Sequence, residues 1–337
     1  MRAHPLLPAA AALVALLALP TLLGSDYYVN LASQILIAAI LAMSLNLLVG
    51  FGGLTSLGHA AYLGTSAYLT IYLTTQAGLS HGAGIALALA GTTLLAMVFG
   101  FLALRATGLG FLMITLALGQ ILWGLAFRWV GVTGGDNGLS GSPRPRPFGI
   151  DLADPALFFY LVAAVFAVAF LAMARFVGSP FGQSLAGTRD QPRRMRALGY
   201  DVPLIQWASF VYAGFWGGVA GVLYAEYHQF VSPQALHLTT SAETLLMVIA
   251  GGAGTLTGPL VGAALVLVLK NVVSIYVTRW MLLLGATFVL IVLFMPEGLV
   301  PGVARLWRRL RGGRVRAPGL PATATAPEVG TMTEPAP

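Results

Sequence analysis

Residues 28–49 read YVNLASQILIAAILAMSLNLLV, an apolar stretch without a single charged side chain. A helix of that length covers about 30 Å, the thickness of the hydrocarbon core of a bilayer. The stretch therefore predicts a membrane-spanning helix. Further apolar runs fill most of the chain, at residues 6–23, 59–76, 82–104, 108–130, 156–176, 204–227, a split region over 235–278, and 280–295.

The composition agrees with a protein whose surface is covered mainly by lipid. Of the 337 residues, 58% are hydrophobic and 9% are charged, whereas a soluble domain carries roughly 25% charged residues. So few charges cannot cover a soluble globule, which excludes a disordered protein and an ordinary cytoplasmic enzyme. The absence of cysteine excludes a disulfide framework and thiolate metal sites. We predict an all-α integral membrane protein.

The net charge of +7 indicates orientation rather than nucleic-acid binding. Almost all the positive residues are arginines, and they lie at the ends of the apolar runs. Positive residues in short loops favour the cytoplasmic side and contact anionic membrane lipid. This rule places both termini in the cytoplasm, along with these residues and ranges: Arg2, Arg105, Arg175, Arg189, Arg193, Arg194, Arg196 and 305–316.

Counting crossings from an inside N-terminus gives about ten spans, within a range of eight to ten. Residues 6–23 are interpreted as a retained first helix, because this run is longer than the core of a typical signal peptide. An inside C-terminus requires the region 235–278 to split at 251–259, either into two spans or as a re-entrant segment. The transmembrane domain would cover 1–304, and 305–337 would form a basic and then disordered cytoplasmic tail.

Two glycine-rich segments interrupt the apolar pattern. Residues 50–59 read GFGGLTSLGH and residues 251–259 read GGAGTLTGP. Glycine permits close helix contacts, and it also permits a broken helix where the backbone is buried in protein or lines water. The segments are therefore either tight interhelical contacts or discontinuities along a pathway. The glycines concerned are Gly52, Gly53, Gly58, Gly251, Gly252, Gly254 and Gly258.

Signatures of an enzyme are absent from the sequence. A phosphate-binding loop needs Gly-Lys followed by Ser or Thr, but the only lysine, Lys270, follows Leu269. The five histidines show no metal-ligand spacing. We therefore expect no enzyme activity, no metal site and no cofactor in this chain. Ionisable residues within spans suggest function by default, and these are Glu243, Lys270 and Glu226, with the interface or a partner subunit as the alternative explanation.

A polar insert at 177–203 separates two of the apolar runs. It has a helix-like centre, a proline at position 192 and a glycine at position 199. A basic loop that binds lipid head groups is one interpretation. The insert is longer than a connector needs, however, and suits docking onto a soluble protein.

Seven motifs in a fixed order make the sequence similar to the LivM-type permease subunits of bacterial branched-chain amino-acid ABC importers. The resemblance covers nearly the whole chain before the tail. The motifs are LNLLVGFGGLTSLGHAAYLG at 45–64, LRATGLGFLMITLA at 104–117, TGGDNGL at 133–139, TRDQ at 188–191 with LGY at 198–200, the stretch 210–225, GGAGTLTGP at 251–259, and FMPEGL at 294–299.

The resemblance implies a subunit that works with other chains. These would be a second permease of the LivH type, two ATP-binding cassette ATPases that bind ATP and Mg²⁺, and a periplasmic substrate-binding protein, at the bacterial inner membrane. The polar insert would be the loop that couples to the ATPases, through Gly182, Arg189, Asp190, Arg193, Arg194 and Gly199. Loops of this family usually read Arg-Glu-Asn-Glu where this chain has Arg-Asp-Gln-Pro, so the second acid is missing.

The resemblance implies leucine, isoleucine and valine as substrates. Importers of urea or short-chain amides share the scaffold, and an ATP-independent channel or facilitator is the alternative from another class. Polar residues near broken or packed helices could line the translocation path or only satisfy helix packing. They are Asn46, Ser56, His59, Tyr62, Thr115, Gln120 and Glu243.

Overall fold

A computed structural model of the chain describes residues 20, 24–141, 144, 152–277 and 279–310. The chain divides into two units, Met1–Gly302 and Val303–Pro337. The expected first helix at 6–23, apart from residue 20, and the tail beyond residue 310 lie outside the described residues.

Helices make up most of the described chain. They are α1 Asp26–Asn46, α2 Ala60–Thr75, α3 His81–Ala103, α4 Leu109–Arg128, α5 Val130–Thr133, α6 Pro155–Gly178, α7 Pro180–Asp190, α8 Pro192–Ala197, α9 Val202–His228, α10 Leu238–Gly251, α11 Gly258–Val268, α12 Ser274–Tyr276, α13 Trp280–Phe294 and α14 Leu299–Leu310. Two π-helical turns, Leu47–Phe51 and Leu269–Val273, extend α1 and α11. Short 3-10 turns cover Gly135–Asn137 and Pro233–Leu236.

Helix α9 defines the two ends of the bundle. It begins just after α7 and α8, which mark what we call the loop end, and it is followed by strand β2, which marks the sheet end. Strand β2, Phe230–Val231, pairs antiparallel with β1, Leu139–Ser140. Helix α3 runs opposite to α9, because His81 lies 3.5 Å from Glu226 at the sheet end, while Trp207 donates to the carbonyl of Met97 nearer the loop end.

Arg144 closes the sheet end of α9. Its guanidinium donates hydrogen bonds to the carbonyls of Glu226 and Tyr227, each at 3.0 Å, and to that of Leu152 at 3.1 Å. It also lies 4.2 Å from the ring centroid of Phe158. The last carbonyls of a helix have no partner within the helix and carry partial negative charge, so a cation at this position stabilises the helix end.

One part of the core forms where α2, α3 and α9 pack closely, and a larger part lies among α1, α2, α6, α9, α10 and α11. A Cβ added at Gly221 of α9 would clash with the carbonyl oxygen of Leu63 in α2, and one at Gly214 would clash with Ala96 in α3. Small residues let neighbouring backbones approach, which drives helix association in lipid where the hydrophobic effect does not. Tyr62 and Phe210 meet edge to face within this core, with ring centroids 6.0 Å apart.

The prediction of an all-α membrane protein is confirmed. Among the described residues six helical segments are long and apolar enough to cross a bilayer: Asp26–Phe51, His81–Ala103, Leu109–Arg128, Pro155–Gly178, Val202–His228 and Gly258–Tyr276. A bent pair, Met281–Phe294 with Leu299–Arg305, raises the count to seven. The expected number of about ten is less well supported than the fold class. It is reached only if the shorter helices α2 and α10 and the undescribed run at 6–23 are also counted as spans. The split at 251–259 is present, since α10 ends at Gly251 and α11 begins at Gly258.

Substituting Gly221 by leucine is expected to destabilise the bundle. The new side chain would force α2 and α9 apart, and overpacking of this kind costs roughly 1–3 kcal/mol. Thermal unfolding in detergent should show a lowered midpoint. Gly124→Leu is the matched control, because no atom lies within 4 Å of a Cβ built there; equal midpoints for the two variants would contradict the packing role.

Candidate functional site

The first glycine-rich segment is a true break between α1 and α2. The π-helical turn Leu47–Phe51 ends at Gly52, and Gly53 has a φ of 67° that favours glycine. Helix resumes at Ala60, whose amide donates a 3.0 Å hydrogen bond to the hydroxyl of Ser241 in α10. The end of the break next to α2 is therefore buried in protein, as Ser56, Gly58 and His59 also are, which is one of the settings that irregular backbone in a membrane requires.

The second glycine-rich segment holds itself together by local hydrogen bonds. Gly252 and Gly254 have φ values of 120° and 81°, which other residues rarely adopt. The hydroxyl of Thr255 donates to the carbonyl of Gly252 at 2.8 Å and accepts from the amide of Gly258 at 3.1 Å. The turn from α10 to α11 is therefore tight and satisfies part of its own backbone.

Asn46 joins the two breaks. Its side-chain amide donates to the carbonyl of Thr255 at 2.8 Å, and its side-chain oxygen accepts from the amide of Gly254 at 2.9 Å. The residue is 1% exposed. A Cβ at Gly50 would clash with the backbone nitrogen of Gly254, so glycine at position 50 is what allows this approach.

The polar insert forms two short helices at the loop end. Ser179 caps α7, since its hydroxyl accepts from the amide of Gly182 at 3.2 Å. Gly182 itself is packed against the carbonyl of Phe176, where a Cβ would not fit. The chain turns at Gln191 into α8, and Gly199 adopts a φ of 87° before α9 begins.

Helix α7 is anchored to the first break through Arg189. The guanidinium donates a 2.6 Å hydrogen bond to the carbonyl of Gly50 and another, at 2.8 Å, to the carboxylate of Asp190. Leu185 on the same helix is fully buried. Arg193 and Arg194 on α8 are exposed instead. The insert thus has one face fixed to the bundle and one basic face turned outward.

Five of the residues expected along the translocation path are buried in helix contacts. They are Asn46, Ser56, His59, Tyr62 and Thr115, each at most 3% exposed. His59 Nε2 lies 2.8 Å from the hydroxyl of Ser44, which donates to the carbonyl of Leu41. With the hydroxyl proton so engaged, we assign Nε2 as the donor in that contact. Thr115 accepts from the amide of Leu57 at 3.3 Å.

A cavity of about 340 Å³ lies among α1, α9, α10 and α11 with its π-helical turn. Glu243 is the one residue of the expected path that lines it, whereas Gln120 is half-buried on α4. Lys270 Nζ lies 2.9 and 3.1 Å from the two carboxylate oxygens of Glu243. The structure therefore pairs the two ionisable residues that the apolar pattern had singled out separately.

Several further polar residues of the cavity were not expected. Gln34 donates a 3.1 Å hydrogen bond to the hydroxyl of Tyr227, and Asn271 donates to the carbonyl of Leu267. Gln34 and Asn271 interrupt apolar runs, so polar residues inside spans were the available signal. Within the described part of the chain, no group of three metal-binding side chains comes together.

A family model and two similar proteins indicate the same family. A family model described as branched-chain amino acid transport system, permease component, matches residues 27–292. The high-affinity branched-chain amino acid transport system permease protein LivM of Salmonella typhimurium is 29% identical over 86% of this chain and 73% of its own length. The protein of that name from Escherichia coli is 30% identical with the same coverage. No solved structure gave a significant match.

Replacing Asn46 by leucine is expected to separate the two breaks. The variant leaves the amide of Gly254 and the carbonyl of Thr255 without partners, at a cost of roughly 1–3 kcal/mol for a buried group. The thermal midpoint in detergent should fall, and proteolysis within 251–259 should become faster. Asn30→Leu on the same helix is the control. Unchanged cleavage of the Asn46 variant would show that the side chain does not hold the segments together.

Proposed function

The chain belongs to the family of branched-chain amino acid transport permeases, and we propose that it is the membrane permease subunit of an ATP-driven importer. In this proposal it translocates leucine, isoleucine and valine across the bacterial inner membrane. The energy comes from ATP hydrolysed on separate chains, so this subunit is not an enzyme and holds no cofactor. The observation that carries the proposal is the contact of Arg189 with Gly50, because it ties a surface helix to the break between two membrane helices.

The outward face of the insert suits docking onto an ATPase. Arg193, Arg194 and Arg196 are exposed on α8, and Leu198 is 67% exposed just beyond them. A basic surface with an apolar centre combines steering by charge with burial of apolar area on docking. ATP and Mg²⁺ are bound by the two ATPases in this assignment.

The distribution of arginines orients the subunit. Arg105, Arg175 and the arginines of the insert all belong to the loop end, and positive residues in short loops favour the cytoplasm. The loop end is therefore assigned to the cytoplasm, with both termini on that side. The sheet end then faces the periplasm, where a substrate-binding protein delivers its cargo, and a second permease of the LivH type completes the pathway.

Force applied to the insert would reach both breaks through three named contacts. Closure of the ATPase dimer moves α7, Arg189 transmits the movement to Gly50, and Asn46 transmits it to Gly254 and Thr255. A ligand or a partner shifts an equilibrium between two packings only when its contacts differ between them. The hydrogen bond of Arg189 to Gly50 supplies such a contact, because it binds the break itself.

Reconstitution tests the substrate and the assembly together. The chain, expressed with its genomic neighbours, should co-purify with an ATPase and a second permease. Proteoliposomes should then take up labelled leucine only when ATP is enclosed in their lumen, on the side of the ATPases. Inhibition by valine and not by urea is expected. Inhibition by urea alone would favour an importer of urea or amides, and uptake without ATP would favour a facilitator.

Arg189→Gln is expected to uncouple the importer. The variant loses the charge-assisted bond to the Gly50 carbonyl, a contact worth about 1.5–3 kcal/mol, so uptake and substrate-stimulated ATP hydrolysis should both fall roughly tenfold or more. Arg175→Gln, an exposed arginine at the same end, is the matched control and should keep both activities. Normal stimulation of hydrolysis in the Arg189 variant would contradict the coupling role.

A further inference from the structure

We propose that the cavity among α1, α9, α10 and α11 is a transit site for a zwitterionic amino acid with a branched aliphatic side chain. Lys270 binds its carboxylate and Glu243 binds its ammonium group. This assignment rests on the proposed function, which names the substrates but leaves open where they bind in the membrane. The site follows from the shape, charge and position of the cavity.

The cavity combines an ion pair with apolar wall. Its volume of about 340 Å³ is lined by Glu243 and Lys270, together with polar residues such as Gln34. Half of the other lining residues are aliphatic, and Ile37, Leu41, Met247 and Leu267 are among them. A leucine, isoleucine or valine presents the same combination, with two charges and a branched hydrocarbon. Burial of that hydrocarbon supplies affinity.

The ion pair is suited to exchanging partners. Lys270 contacts both carboxylate oxygens of Glu243, and the two side chains keep 40% and 26% of their surface exposed. Charged residues are costly within a membrane and persist there mainly where they serve a pathway or a partner. A zwitterion brings one charge of each sign, so Lys270 and Glu243 can each take a new partner while the net charge of the site stays at zero. No uncompensated charge is then left in a medium of low dielectric.

The same chemistry rejects neutral polar solutes. Urea or a short amide would have to separate Lys270 from Glu243 without returning a full charge to either. A site built around paired charges discriminates strongly against ligands that leave those charges unsatisfied. The cavity thus favours amino acids over the amides that related scaffolds would otherwise admit.

The position of the two charges connects the site to the coupling elements. Lys270 lies on the π-helical turn Leu269–Val273, a departure from α-helix that is frequent at functional sites. Glu243 lies on α10, the helix that ends at Gly251 beside the break held by Asn46. Movement of the breaks therefore reaches Glu243 along α10 alone, while Lys270 lies on the turn that extends the next helix, α11.

Labelling of a single cysteine tests occupancy of the cavity directly. The chain has no cysteine of its own, so Ala38→Cys places one thiol in the cavity wall and Thr65→Cys places one in a separate cavity on α2. In the purified importer, millimolar leucine should slow modification of Ala38→Cys by a small thiol reagent several-fold and leave Thr65→Cys unaffected. The readout is the mass of this chain, so partner cysteines do not interfere.

Ligand analogues and charge variants complete the test. 4-Methylpentanoate lacks the ammonium group and urea lacks both charges, so neither should protect Ala38→Cys. Protection by leucine should also disappear when Glu243→Gln and Lys270→Met are combined, a double change that removes both charges and so leaves none unpaired. Co-elution of the double variant with its partners verifies assembly, and if it does not assemble, the analogue arm decides.

The outcomes separate this proposal from the proposed function. Unchanged labelling in the presence of leucine, or equal protection by 4-methylpentanoate or urea, overturns the transit site. Leucine uptake by an importer whose Ala38→Cys is not protected overturns the site and leaves the importer assignment intact. Protection without any leucine uptake supports the site and overturns the importer assignment. Normal uptake by the neutral double variant would show that the ion pair is structural, which also overturns the site.

Discussion

The structure depends on the rule that backbone groups inside a bilayer must find partners within the protein. Two glycine-rich segments release backbone amides and carbonyls from helices, and one side chain, Asn46, satisfies a donor and an acceptor of the second segment while belonging to the helix before the first. Glycine at position 50 permits the approach. Arg189 then satisfies the Gly50 carbonyl from outside the membrane helices. The polar insert and the two breaks are thus parts of one hydrogen-bonded arrangement.

Local patterns predicted the elements of this arrangement well. The apolar run 28–49 became α1 with its π-helical extension, because length and hydrophobicity alone identify a spanning helix. Both glycine segments interrupted helices, since Gly53, Gly252 and Gly254 adopt backbone angles that other residues avoid. The insert at 177–203 formed helices broken near Pro192, as a proline after a polar turn predicts.

Contacts between distant segments could not be read from local patterns. Nothing in the spacing of Glu243 and Lys270 shows that α10 and α11 turn back on each other and bring them together. Both glycine segments break helices and both pack closely against protein, and a pathway along them stays a prediction. Polar residues such as His59 and Thr115 proved to lie in helix contacts, and this outcome depends on the neighbours that face them.

Helix α10 has 14 residues, and a helix of that length behaves as a rod of about 21 Å. Two of its residues belong to the two proposals: Glu243, near the middle of the helix, lines the cavity, and Gly251, the last residue, lies at the breaks. Linkage then requires reciprocity: if the state of the loop changes the affinity for an amino acid, the amino acid changes the equilibrium of the loop by the same factor. In the importer proposed above, occupancy of the cavity would therefore change the equilibrium of the polar insert without any direct contact between the amino acid and the ATPases. Such coupling would restrain futile hydrolysis in the absence of cargo.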